Sequence, residues 1–415
     1  MHVLALNQFY APDHSATSQL LTELCEDLAA AGERVTVVAS RGTYLGGEKL
    51  PARERRRGVE VLRPWATSLG KGSIARRLLD YGTFGASALA EVVRVARPDV
   101  MIALTTPPMI AAGAAVVAKA RGIPLVPWVQ DVYPEVAVAF GVLQETTMAA
   151  RALAAVGRAS HRAARLTVTL SEGMAERVVA QGQARERIRV IPNWSDGRLV
   201  HPTAEGAARF RREHDLEGRF VAMYSGNLGA GHELVPFVAA ARALAARRPE
   251  LALVFVGDGV RRAEAEQAAR GLTNVRFLPY QPRERLAESL SAADVHLASL
   301  QPGLDGLLVP SKLYGVMAAG RPLLYLGPAS CELARVIRRW GVGWHVEPGE
   351  PAALVAALEA AMAEPLETRG RGERARATFV TEFDRPRAVE RWRAVLREAV
   401  AEGPHAIGGR APKGE

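Results

Sequence analysis

At 415 residues the chain is too long for one ordinary core, and typical domain sizes predict two. Hydrophobic residues are 48% and charged residues 23%, which excludes the disordered and membrane-embedded classes, while the net charge of +9 leaves room for an anionic partner. Two cysteines, Cys25 and Cys331, give almost no support to a disulfide framework or a cysteine metal site, so a reducing cytoplasm is expected. The start MHVLALNQFY lacks the three regions of a signal peptide and reads as a strand that begins at once. Val3 to Leu6 is that strand; Leu20, Leu21, Leu24, Cys25 and Leu28 follow at helical spacing, Gly32 closes the helix, and Val35 to Ala39 reads as a second strand.

Apolar runs at Val100 to Leu104, Leu125 to Val129 and Leu166 to Leu170 continue the series. The longest apolar window, Val100 to Ala118, carries Thr105, Thr106, Pro107 and Pro108 at its centre, so strand, loop and helix is predicted rather than a membrane span. VIPNWSDGRLVHP (Val190 to Pro202) is dense in turn formers and marks the predicted boundary. Beyond it, strands over Phe220 to Tyr224, Leu251 to Val256, Val275 to Leu278, Val295 to Leu300 and Leu323 to Leu326 alternate with alanine-rich amphipathic helices. The alternation predicts two doubly wound α/β domains, residues 1–190 and 191–380, with ligands beyond the carboxyl ends of the strands.

The loops after those strands are therefore where chemistry is expected. NQFYAPDHSATSQ, after the first strand, lacks the GxGxxG turn of a dinucleotide site. SGNLGAG (Ser225 to Gly231) follows a strand and opens a helix, so its amides suit a diphosphate; a tight packing turn is an equal alternative. In VPSKLYGVMAAGRP, Ser311 is predicted to cap a helix whose amino terminus and Lys312 both favour an anion, against a merely solvated lysine. Asp131 stands just past a strand, where a carboxylate orients or deprotonates a hydroxyl, with helix capping as the alternative and Glu135 as a weaker companion. His14 is a candidate for sugar or acceptor contact, or a surface residue; Tyr280 borders a nucleobase, or packs between helix and sheet.

The order NQFYAPDHSATSQLLTEL, WVQDVYPE, VIPNWSD, YSGNLG, FVGDG and PSKLYGVMAAGRP resembles the family-four retaining glycosyltransferases over nearly the whole chain, in particular the bacterial cell-envelope polysaccharide members of the fucosyl and fucosaminyl transferase group. The resemblance implies a GT-B fold, α/β with two Rossmann-like domains across a cleft. The second domain would hold a nucleotide-sugar donor through Gly226, Asn227, Gly229, His232, Tyr280, Ser311, Lys312, Leu313, Tyr314 and Gly315. The first would hold a polyprenyl-linked or glycan acceptor near His14, Ser15, Ala16 and Glu135, with Asp131 and Lys312 serving catalysis. Residues 381–402 would form a helix crossing back to the first domain, ahead of a flexible tail, 403–415. The family pairs an arginine and a lysine near the diphosphate with two glutamates eight positions apart. Here those places fall at Asn227, about His232, Leu307 and Gly315, so Lys312 is expected to supply the lost charge and Tyr314 or backbone groups to replace the ribose carboxylate.

No Asp-x-Asp sequence occurs, so metal independence is expected and the nucleotide sugar is a substrate, with no cofactor. Residues 53–77 hold eight Lys or Arg against two Glu. With Trp65, Leu69, Ile74, Leu78 and Leu79 interleaved, the segment 53–79 is a candidate surface for an anionic membrane and a peripheral place on its cytoplasmic side, or simply an arginine-rich solvated face. No nucleic-acid module is visible. A nucleotide-sugar epimerase of the same fold and a non-catalytic nucleotide-sugar-binding protein are the alternative functions.

Overall fold

The computed structural model describes residues 1–43, 49–70 and 73–401. Lys71 and Gly72, in the middle of the basic segment, and the tail 402–415 lie outside them. The N-terminal unit is built on β1 (His2–Leu6), β2 (Arg34–Val38), β3 (Arg53–Arg56), β4 (Val59–Leu62), β5 (Val100–Ala103) and β6 (Leu125–Pro127) in the order β3-β4-β2-β1-β5-β6. All neighbours run parallel except the edge strand β3. A parallel pair, β7 (Thr167–Thr169) and β8 (Ile188–Val190), extends this sheet through a bridge from Trp128 to Val168. Buried Val, Leu and Ile on both faces of β1, β2 and β5 make a parallel centre favourable, because helices cover each side.

The C-terminal sheet is wholly parallel: β9 (Phe220–Ser225), β10 (Leu251–Val256), β11 (Val275–Leu278), β12 (Val295–Ser299), β13 (Leu323–Leu326) and β14 (Gly343–Val346), in the order β11-β10-β9-β12-β13-β14. Strand order reverses between β9 and β12, so the loops after those two strands diverge and leave a crevice at their carboxyl ends.

Part of the basic segment is used by the fold itself, which corrects the expectation of one membrane-facing patch over 53–79. Arg53 to Arg56 form the edge strand, Arg53 lies near Glu60, and Arg56 and Arg57 reach Glu26. Arg63 is buried, donating 2.7 Å to the Ala11 carbonyl and forming an ion pair with Glu54 at 2.7 Å. What stays on the surface is Trp65, Leu69 and the start of the helix Ile74–Arg94, where residues 75–79 are all exposed.

The chain leaves the C-terminal unit through a single π turn, Phe379–Phe383, and the helix Arg385–Ala401 runs back against the helix Ala16–Ala30 and strands β5 and β6. Arg385 holds both carboxylate oxygens of Asp27 at 2.7 Å and reaches Asp196 at 3.1 Å. Trp128 is sandwiched between Trp392, with ring centroids 4.7 Å apart, and Trp194, at 5.6 Å. Trp194 in turn donates 2.8 Å to Glu23, which also pairs with Arg283 of the C-terminal unit. Burial pushes the Glu23 carboxyl up, against the pull of Arg385, Trp194 and Arg283. Truncating the fully buried Trp392 to alanine leaves the Trp128 face without its partner. The expected loss is about 3 to 5 kcal/mol of unfolding free energy, read from the urea midpoint.

Candidate active site

Two loops at the carboxyl ends of β9 and β10 are laid so close that only glycine fits. Gly226 (φ +116°) donates its amide to the Val256 carbonyl, and Leu228 donates 2.9 Å to the Asp258 carbonyl. A Cβ on Gly257 (φ +130°) would stand 2.2 Å from the Gly226 oxygen, and one on Gly259 (φ +153°) 2.4 Å from the Leu228 oxygen. These are backbone collisions that no side-chain shift relieves. A Cβ on Gly229 would meet the Asn227 amide nitrogen at 2.9 Å.

Lys312 extends across this platform. Its Nζ donates 2.9 Å to the Asn227 carbonyl, lies 4.7 Å from the Tyr224 ring centroid, and its Cε would touch a Cβ on Gly226 at 3.2 Å. The side chain keeps partial access to the cleft, but its ammonium is enclosed by these loops, and that desolvation lowers its pKa to about 7. His232 donates from Nδ1 to the Ser299 carbonyl at 2.6 Å, which leaves Nε2 unprotonated in the neutral ring. Burial, and then the Lys312 charge, push its pKa down to about 3, so His232 adds no positive charge at neutral pH.

Around Lys312 the structure corrects three expectations. Ser311 does not cap: its ψ of −11° is helical rather than extended, and its hydroxyl accepts no helix amide. The helix Lys312–Ala318 has only seven residues, so Lys312 rather than a long dipole carries the charge. Tyr314 turns inward, with its ring 5.4 Å from Phe383 and almost no exposure, so it does not offer its hydroxyl to a ribose in the cleft. Leu313 is fully buried and offers only backbone, and a Cβ at Gly315 would meet Leu290 at 3.4 Å. Leu307, at the place of the family's other glutamate, is a buried core residue whose carbonyl accepts 2.9 Å from the Val132 amide across the units.

Tyr280 lies over the β10 loop, 55% exposed, donating 3.0 Å to the Asp258 carbonyl, and is not packed between helix and sheet. Arg261 went unnoticed in sequence because its partners are distant. Its amide donates 3.0 Å to the Leu228 carbonyl, and its guanidinium lies 2.6 Å from the Gln301 amide oxygen, while Gln301 also reaches the Ala230 carbonyl at 3.3 Å.

On the other side of the cleft, Asp131 is desolvated and its pKa rises to about 6. It does not cap the short helix Glu135–Ala139, whose cap position is Pro134. Glu135 is engaged elsewhere, accepting 2.7 Å from Gln181. His14 and Ala16 are exposed at the start of the helix Ala16–Ala30, and Ser15 donates its amide to Asp13 at 2.8 Å without using its hydroxyl as a cap. Asp13, which sequence reasoning passed over, is thus the side chain that shapes this loop.

The Glycosyl transferase 4-like domain matches residues 16–194, and the Glycosyl transferases group 1 domain matches residues 219–364. The chain is 28% identical over 380 residues, 88% of its length and 93% of the relative's, to WcaI of Escherichia coli (strain K12), named for glycosyl transfer in colanic acid biosynthesis. It is 30% identical over 275 residues, 64% of its length and 66% of the relative's, to WbjE of Pseudomonas aeruginosa, a "Probable glycosyltransferase". In shape it resembles Anabaena HepE in complex with UDP, with TM-score 0.72, 16% identity, and coverage of 96% of this chain and all of that one. It also resembles a sucrose-phosphate synthase from Thermosynechococcus elongatus, with TM-score 0.75, 17% identity, and coverage of 97% and 100%.

The glycine platform is directly testable. Gly257→Ala combines positive φ with a backbone collision, whereas Gly218 (φ +67°) faces open space. Gly257→Ala is expected to lower the thermal midpoint about 5 °C more than Gly218→Ala and to remove stabilisation by nucleoside diphosphates, measured by thermal shift. Two matched domains in succession, two doubly wound sheets and a glycine platform at the second sheet's switch point lead to one conclusion: this chain belongs to the family-four glycosyltransferases of GT-B fold.

Proposed function

We propose that the chain transfers a hexosyl group, with retention of anomeric configuration, from a nucleoside-diphosphate sugar to a cell-envelope polysaccharide or a lipid-linked oligosaccharide. The units 1–190 and 191–380 divide the work between acceptor and donor, and 381–402 ties them together. The single observation that carries the reading is Lys312 poised over the Gly226–Asn227 turn, a half-buried cation at the cleft where a departing diphosphate gathers charge. The relatives' names support the cell-envelope acceptor, and HepE's UDP complex supports a nucleotide donor.

In this mechanism Lys312, with the Asn227 and Gly229 amides, stabilises the diphosphate as the glycosidic bond breaks, and no divalent metal is required. Asp131 accepts the proton of the attacking hydroxyl, for which a carboxylate with a pKa near 6 is well matched. Asn227, Gly229 and the exposed Ser311 hydroxyl line the phosphate path, and Tyr280 borders the base. Asp131 works when ionised, so kcat/KM rises with pH through about 6; Lys312 works when charged, so kcat/KM falls through about 7. A bound diphosphate raises the Lys312 pKa, so the alkaline limb of kcat moves upward. The expected profile is a narrow bell for kcat/KM, unchanged by EDTA, with the acid limb absent in Asp131→Asn. Transfer to polyprenyl-diphosphate sugars, screened with uridine and guanosine donors, provides the assay. Turnover of donor without any acceptor would favour an epimerase, and tight donor binding without turnover a binding protein.

In the same proposal the acceptor side meets an anionic membrane on its cytoplasmic face. Trp65 is 64% exposed, Leu78 63% and Leu79 51%, and exposed apolar side chains next to the exposed Arg76 and Arg77 suit a headgroup layer. Among the described residues, no helix is long and apolar enough to cross a membrane. Replacing Leu78 and Leu79 by glutamate is expected to reduce co-sedimentation with phosphatidylglycerol vesicles at least tenfold, with no change against neutral vesicles.

A further inference from the structure

A cavity of about 40 Å³ opens beside Asp131 in the N-terminal unit. At about 10 to 15 Å³ for each water-sized group, it has room for three or four heavy atoms. Met109, Ala112 and Val129 make much of its wall apolar, and Thr105, Tyr133, Ser160 and His161 join Asp131 as its polar lining. Ser160 is only 6% exposed, and its hydroxyl has no hydrogen-bond partner. Nδ1 of His161 is buried and unpartnered too. Burial holds that ring neutral, pushing its pKa down to about 4, with Gln181 as a hydrogen-bonding neighbour. A buried polar group left unpaired is destabilising, so two in one small cavity call for a ligand that answers both.

The required ligand group has an apolar end, one acceptor and one donor, in about four heavy atoms. An acetamido group has that composition. Its methyl lies against Met109 and Ala112, and its carbonyl and N–H answer the Ser160 hydroxyl and His161 Nδ1 between them in either tautomer of the ring. A hydroxyl in the same place can answer both polar partners but is too small to fill the apolar wall. We propose that this cavity seats the acetamido group of an N-acetylated acceptor sugar. The inference rests on the N-terminal unit being the acceptor side and adds the sugar chemistry that selects the acceptor.

Gly157 supplies the cleanest probe. It lines the cavity from within the helix Met148–Ala163, and a Cβ there would stand 3.7 Å from the Tyr133 carbonyl and 3.8 Å from Met109 Cε, ordinary contacts that narrow the space without a clash. Alanine also favours the helix, so Gly157→Ala is expected to fold with an unchanged or higher thermal midpoint. The experiment is saturation-transfer NMR on the full chain with methyl glycosides of N-acetylglucosamine and N-acetylgalactosamine, against methyl glucoside and methyl galactoside. The acetyl methyl is expected to receive the strongest saturation, with at least fivefold tighter binding of an N-acetylated sugar. Gly157→Ala should abolish that preference, and Ser160→Ala should reduce it several-fold. Equal binding of acetylated and plain sugars, or a preference that survives both substitutions, overturns the proposal. Donor hydrolysis by the unsubstituted chain separates the two readings. Turnover without acetamido preference sinks the pocket alone, and acetamido preference without turnover sinks the transferase.

Discussion

The contact on which the site depends is the 2.9 Å bond from Lys312 Nζ to the Asn227 carbonyl. A lysine enclosed beside a tyrosine ring and two glycine turns loses much of its hydration, and its pKa near 7 reflects that cost. In the proposed mechanism an arriving diphosphate adds an anionic partner to the ammonium beside the Asn227 carbonyl, so substrate binding restores what burial removed. His232 cannot share this role, because its Nδ1 proton is committed to Ser299 and the ring is held neutral. The positive charge that the wider family spreads over two side chains is here concentrated on one, delivered from the opposite loop.

Everything else in the C-terminal unit serves to hold that lysine and the amides in register. Gly257 and Gly259 are glycines because the Gly226 and Leu228 carbonyls occupy the space of their Cβ atoms, and Arg261 and Gln301 brace the same turn from behind. The N-terminal unit is held across the cleft by Glu23, Arg283, Trp194 and Arg385, residues up to 362 positions apart in the chain. The burial of the Leu307 side chain suits a leucine where the family has a glutamate, while its carbonyl accepts the Val132 amide at the junction.

The sequence made much of this readable, and the physical reason differs from element to element. Strands such as Leu251 to Val256 and Leu323 to Leu326 are buried on both faces, so their continuous apolar runs identify them. The edge pair β3 and β4 escaped because its arginines look like a solvated charge run; only the structure shows Glu26, Glu54 and Glu60 neutralising them. Ser311 and Tyr314 were misread for a related reason. Their types suggest a cap and a ribose contact, but backbone ψ and the position of Phe383 decide where each points. Ser160 and His161 gave no sequence signal at all, since each is unremarkable alone and gains meaning only beside the other and Asp131.

The central claim is that one buried lysine recognises the diphosphate, and calorimetric titration tests it most directly. Lys312→Ala is predicted to bind a nucleoside diphosphate at least tenfold more weakly than the unsubstituted chain at pH 6.5, while the affinity for the corresponding nucleoside changes less than twofold. Equal diphosphate affinity in the two proteins would contradict the account.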